Sequence, residues 1–193
     1  MNILITGASR GIGRDLATTL ADHPGHQILV LSRNEERLKK LSDQYRNIDY
    51  LRYDLGRPNV VGLQEKLSRW PNMDILVNNA GLLVKKPFEQ LTQSDWRRSL
   101  DVNLLGPIEL IKLCLPLLKK SEQAHIVNIS SMGGFQGSSK FPGLSAYSAS
   151  KAALGNLTEC LAEELKEESV AVNALALGAV QTEMLAEAFP GFE

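Results

Sequence analysis

Tyr147 and Lys151 stand four residues apart at the start of an apolar-periodic stretch, so a helix there sets both on one face. A free phenol titrates near pKa ~10. An ammonium alongside favours the phenolate and brings that value down. Such a tyrosine can give a proton to a carbonyl oxygen, or take one from an alcohol, near neutral pH. Two further groups belong with the pair. Ser130 and Ser131 close the preceding apolar run, so a hydroxyl would stand near the same oxygen. Asn103, within Asp101-Val102-Asn103-Leu104, is an amide among apolar neighbours and needs partners if buried. Standing alone, a tyrosine and a lysine at this spacing also describe an amphipathic surface pair.

A second chemistry sits at the other end of the chain. Thr6-Gly7-Ala8-Ser9-Arg10-Gly11-Ile12-Gly13 follows a short apolar run and opens an amphipathic stretch. Glycines permit a tight turn and close approach of a ligand. The helix start that follows offers free N–H groups and a positive dipole end, which suits a pyrophosphate. A purely structural turn is the plain alternative. Placement between an N-terminal strand and a helix favours a dinucleotide.

The second apolar run ends Leu31-Ser32-Arg33-Asn34, with no carboxylate to meet a ribose 2′-hydroxyl. Arg33 suits a 2′-phosphate, because a guanidinium matches phosphate geometry. Arg10 would approach the same phosphate from the glycine loop. This favours NADP over NAD, the alternative being two solvated surface arginines. Asp54 would accept a hydrogen bond from an adenine amino group or cap a helix.

These groups need a frame. Short runs rich in Ile, Val and Leu occur at Ile3–Thr6, Gln27–Leu31, Tyr50–Tyr53, Ile75–Asn78, His125–Ile129 and Val170–Leu175. They do not alternate with polar residues, as expected of strands covered on both faces. Helical patterns lie between them, over Gly11–His23, Glu35–Tyr45, Val60–Trp70, Gln93–Lys119 with a break near Pro107, and Ala146–Glu168. The alternation predicts an α/β fold: a doubly wound, Rossmann-type parallel sheet in three αβα layers, strand order 3-2-1-4-5-6. No repeat or linker interrupts it, so residues 1–193 read as one domain. Met132–Leu144, glycine-rich, follows the fifth strand at the ligand-binding edge; it is either a mobile surface loop or a substrate cover.

Composition removes other classes. Of 193 residues, 44% are hydrophobic and the net charge is −1, which argues against nucleic acid or an anionic membrane as partner. The chain opens directly on a strand, without a signal-peptide pattern, and no run nears the ~20 apolar residues of a membrane span. A cytoplasmic protein is the expectation, with Cys114 and Cys160 as buried free thiols. His23, His26 and His125 lack metal-ligand spacing, so no metal is expected.

Together these segments resemble the short-chain dehydrogenase/reductase family, over essentially the whole chain. Thr6–Gly13 resembles its TGxxxGxG loop, Asn78-Asn79-Ala80-Gly81 its NNAG motif, and Tyr147 with Lys151 its YxxxK pair. Val172-Asn173-Ala174 and Gly178-Ala179-Val180-Gln181-Thr182 resemble the segment that reaches the nicotinamide. The resemblance implies a carbonyl–alcohol oxidoreductase with Asn103, Ser131, Tyr147 and Lys151 as catalytic residues, Ser130 being the lesser candidate serine. It implies cofactor contacts from Gly7, Ser9, Arg10, Gly11, Ile12 and Gly13, and from Arg33, Asp54 and Leu55. Asn79, Ala80 and Gly81, Tyr147 and Lys151, and Val180 and Thr182 complete that set. It also implies a small carbonyl or alcohol substrate and a homodimer or homotetramer, with the apolar helix through Leu100–Leu118 and the tyrosine helix as interface; burial of the former in the monomer core is the alternative.

Three departures from the family pattern stand out. The interval from Ser131 to Tyr147 is longer by a few residues, all within the flexible loop. Leu177-Gly178 replaces a usual Pro-Gly. The sequence ends at Glu193, where family members continue into a covering helix and a seventh strand, so that strand is expected to be absent and the tail truncated. A non-catalytic NADP(H)-binding sensor on the same fold is the competing class. A hydrolase using Ser131 lacks a plausible histidine and oxyanion arrangement.

Overall fold

The computed structural model describes residues 1–191. Phe192 and Glu193, at the end of the expected truncated tail, lie outside the described residues. The order is β1 (Asn2–Thr6), α1 (Gly11–Ala21), β2 (Gln27–Ser32), α2 (Glu35–Gln44), β3 (Ile48–Arg52), α3 (Val60–Leu67) and β4 (Ile75–Asn78). Then follow α4 (Gln93–Leu100), α5 (Gly106–Leu118), β5 (Ala124–Ser131), α6 (Ser145–Glu164), β6 (Val170–Leu177) and α7 (Glu183–Ala188). The six strands form one parallel sheet ordered β3-β2-β1-β4-β5-β6, the expected doubly wound arrangement.

The apolar strands follow from two-sided burial. Along β1, Ile3 and Ile5 join α1 and α2 in one core, through Ala17, Leu38 and Leu41. Leu4, between them, faces the other core, built with α3, α5 and the end of α6. Alternate side chains of a strand point to opposite faces, so a strand with helices on both sides is apolar at every position.

The long helical pattern does break before Pro107, but by a different device from a simple stop. Asp101–Leu105 forms a π-helical turn between α4 and α5, with the Gly106 N–H donating to the Asp101 carbonyl. One extra residue in the turn rotates the following side chains, and Asn103 is fully buried within it.

Two expectations need correction. Asp54 does not cap a helix: its Oδ1 accepts from the Gly56 N–H at 3.0 Å, and α3 is capped by Asn59. Cys160 is exposed; only Cys114 is buried, and burial pushes its thiol up to about 12. Helix α7 carries too few residues to show a periodic pattern and had no counterpart in the sequence reading.

Candidate functional site

The carboxyl ends of the strands carry the candidate residues, as in other open parallel sheets. The ends of β1 and β4 are tied together by Thr6. Its hydroxyl accepts from the backbone N–H groups of Asn79 at 3.0 Å and Ala80 at 2.9 Å, and donates to the Val77 carbonyl. Asn79 Nδ2 in turn donates to the Thr6 carbonyl at 2.9 Å. The glycine loop lies directly on this knot. Gly7 has φ +72°, and a Cβ there would stand 2.8 Å from the Ala80 Cα. A Cβ on Gly13 would run into Asn79 Nδ2. The loop's glycines are therefore needed for packing as well as for an approaching ligand.

Asn103 is a clamp. Its Nδ2 donates to the Leu82 carbonyl and to Ser150 Oγ, both at 2.9 Å, and its Oδ1 accepts from the Leu82 N–H at 2.7 Å. It joins the loop after Ala80 and Gly81 to helix α6 and leaves its amide well satisfied. A Cβ on Gly81 would lie 3.5 Å from both Asn103 Oδ1 and Lys151 Nζ, so these groups share one corner.

Helix α6 brings Tyr147 and Lys151 to the same place. Lys151 is 2% exposed and its Nζ donates to the Ile129 carbonyl at 2.7 Å. Burial lowers its pKa to about 8. The Tyr147 phenol moves the opposite way from the sequence expectation. Burial raises it, and a hydrogen bond with Ser131 only partly opposes the rise. Desolvation disfavours the phenolate, and the lysine directs its proton to a backbone carbonyl rather than to the phenol oxygen.

The two serines separate clearly. Ser130 is buried and its Oγ donates to the Lys151 carbonyl at 2.9 Å. Ser131 Oγ accepts from the Gly133 N–H at 3.1 Å and interacts with Tyr147. Gly134, the residue after Gly133, abuts α6: a Cβ there would stand 2.6 Å from the Ala152 nitrogen.

One cavity of about 680 Å³ joins these parts. Every expected catalytic residue except Asn103 lines it, and so does every expected cofactor residue except Gly13. Asn103 and Gly13 are buried behind its wall. Phe141 and Leu144 of the long loop line the cavity, so that loop is part of its cover. Leu55 forms part of the floor and packs against Gly106 at the start of α5.

Helix α7 lies over the glycine loop, with the Thr182 methyl 3.4 Å from a Cβ position on Gly11. Thr182 also caps α7, accepting from the Leu185 N–H at 3.2 Å. Arg10, expected to meet a phosphate, is paired instead with Glu187 and Glu183 on α7. Among the described residues Arg33 has no ion-pair partner and faces the cavity. Arg37 also lines the cavity, from the first turn of α2, and was missed. Thr6 and Ser150, which organise the loop and Asn103, were missed as well. Their roles are tertiary contacts with no local pattern. Among the described residues no three His, Cys, Asp or Glu side chains are grouped to hold a metal. No helix of the described residues is long and apolar enough to cross a membrane.

Comparison with known proteins fits this architecture. The short chain dehydrogenase family profile matches residues 1–191. The 3-oxoacyl-acyl-carrier-protein reductase of Aquifex aeolicus is 35% identical over 190 residues, 95% of this chain and 75% of the relative. A solved short chain dehydrogenase of Shigella flexneri complexed with NADP superposes with a TM-score of 0.89 at 32% identity, covering 100% of this chain and 82% of its own. The 3-ketoacyl-acyl-carrier-protein reductase of Brucella melitensis, complexed with NADH, gives 0.88 at 25% identity, covering 96% of this chain and 78% of its own. With a match that runs through every strand and helix described above, the chain belongs to the short chain dehydrogenase family of oxidoreductases.

Proposed function

We propose that this chain interconverts a carbonyl and an alcohol with NADP(H), using Tyr147 as its proton-transfer group. One observation carries the reading. A single cavity holds Ser131, Tyr147 and Lys151 at one end and the glycine loop, Arg33 and Arg37 at the other. Its volume, about 680 Å³, is within the range of cofactor clefts. Gly11 and Ile12 at the start of α1 line it, and the turn directly after β2, Arg33-Asn34, offers no carboxylate to pair with a ribose hydroxyl. The residues present therefore fit a dinucleotide carrying a 2′-phosphate. Because the neighbours above include both an NADP and an NADH complex, the arginines, not the neighbours, decide the preference.

When bound, the nicotinamide supplies or accepts the hydride. The chain does the rest. Tyr147, held protonated by burial, donates its proton to the carbonyl oxygen during reduction. Ser131 donates a hydrogen bond to the same oxygen and fixes its position. Lys151 stands one helical turn below the tyrosine and offers an ammonium to the cofactor's ribose. Asn103 positions Ser150 and Leu82, and through them the start of α6 and the loop after β4. Leu105, in the π-helical turn just before α5, is exposed and lies in the contact of a homo-oligomer.

The test is a pair of measurements on the full chain. Titration following nicotinamide fluorescence should show NADPH bound more tightly than NADH. Tyr147→Phe should keep that affinity and lose about 10²- to 10⁴-fold in carbonyl reduction, the usual contribution of a positioned acid. Undiminished reduction by Tyr147→Phe would remove the tyrosine from the mechanism.

A further inference from the structure

The arginines at the phosphate end of the cavity are not idle. Arg10 Nη1 and Arg37 Nη1 converge on one oxygen, Glu183 Oε2, at 3.3 and 3.0 Å. Arg10 Nη2 also reaches Glu187 Oε2 at 3.1 Å. Arg10 comes from the glycine loop, Arg37 from the first turn of α2, and both carboxylates from α7. Two guanidinium forks aimed at one carboxylate oxygen form an anion site, in which the carboxylate stands where a phosphate oxygen would bind. The pairings hold the Glu183 and Glu187 carboxyls below the usual range and raise Arg10, which keeps these three groups charged at neutral pH.

The other end of α7 is fastened separately. Lys85 Nζ donates to the Ala188 carbonyl at 2.8 Å and lies 3.9 Å from the centre of the Phe189 ring. Phe189 meets Phe141 of the long loop edge-on at 6.5 Å. Helix α7 is thus a strap, tied by charge at the phosphate end and by aromatic contact near the substrate end.

We propose that Glu183 and Glu187 are built-in competitors of the cofactor's 2′-phosphate for Arg10 and Arg37. The inference rests on the NADP(H) reading above. A phosphate dianion displaces the carboxylates from the guanidinium groups and frees the acidic end of α7. A cofactor with a plain 2′-hydroxyl has no charge with which to displace them, and α7 stays tied. Glu183 and Glu187 are therefore specificity-determining residues: they set how much of the phosphate's binding energy is spent on opening the strap.

The test compares NADPH and NADH titrations of the full chain, of Glu183→Gln/Glu187→Gln, and of Asp15→Asn/Asp43→Asn. The last pair removes the same charge from exposed positions on α1 and α2 that lie outside the ion pairs of Arg10 and Arg37. The first variant should bind NADPH about three- to tenfold tighter and NADH within about twofold of the parent, the scale of a few exposed ion pairs. The control should change neither. Unchanged NADPH affinity in the first variant overturns the proposal, as does equal tightening in the control, which would mean only a general field effect. Failure of the parent chain to bind either cofactor overturns the NADP(H) reading itself, and the competition with it.

Discussion

Neighbouring residues of the same type serve different purposes at this site, and the contacts of each decide which. Ser130 is turned to the backbone of α6, where its hydroxyl holds the Lys151 carbonyl. Ser131 is turned to the cavity and to Tyr147. Ser130→Ala should lower stability by about 1 kcal/mol, the worth of one buried hydrogen bond, while leaving most turnover. Ser131→Ala should leave the melting temperature nearly unchanged and cost about 10²-fold in kcat/KM, as for loss of an oxyanion donor. The reverse pattern, measured by thermal melts and steady-state kinetics side by side, would exchange the two assignments. The sequence singles out Ser131, Tyr147 and Lys151 as candidates through spacing and motif order, and all three line the cavity. It did not give the direction of the tyrosine's shift, because desolvation depends on residues distant in the chain. Nor did it show that Arg10 spends its charge on α7.

Elements transmit these placements, and they were legible to different degrees. The six strands and their order follow from short, uniformly apolar runs separated by helical patterns, a signal repeated along the whole chain. The π-helical turn at Asp101–Leu105 and the six-residue α7 carry no such signal: one is a single extra residue, the other less than two turns. Both nonetheless position the site. The contact between the turn after β5 and helix α6 is equally decisive. Gly134 lies so close to Ala152 and Lys151 that an added methyl must push α6 back. Gly134→Ala should therefore destabilise the fold by about 1–3 kcal/mol, as overpacking does, and reduce activity by moving Tyr147 and Lys151 together. Gly155, on the same helix, is different. Its added Cβ would meet only Ser130 Oγ, at 3.9 Å, so Gly155→Ala should stabilise the chain by up to about 1 kcal/mol through helix propensity. Urea midpoints that move in the same direction for both variants would contradict this account of α6.

At the scale of the whole molecule, the site imposes a cost that unfolding should reveal. Lys151 titrates at 10.5 in its ordinary state and at about 8 in the fold. Such a shift corresponds to about 3 kcal/mol against the charged form at neutral pH, offset in part by the bond to the Ile129 carbonyl. Between these two values the unfolded chain holds more protons at this position than the folded one. Stability from this group therefore rises as pH climbs from about 8 toward 10.5, and the penalty is fully present below 8. Lys151→Met removes the charge and keeps most of the length, so it should abolish turnover while raising the urea midpoint at pH 7. Its advantage should shrink as pH rises and be nearly gone at 10.5. Tyr147, shifted upward by burial, costs stability only above pH 10, and both proteins carry it, so it cancels in the difference. An advantage of Lys151→Met that stays constant from pH 7 to 10 would mean that the lysine is not desolvated as its burial implies. An advantage that decays would show that the fold tolerates an unfavourable buried amine because the reaction needs it beside Tyr147.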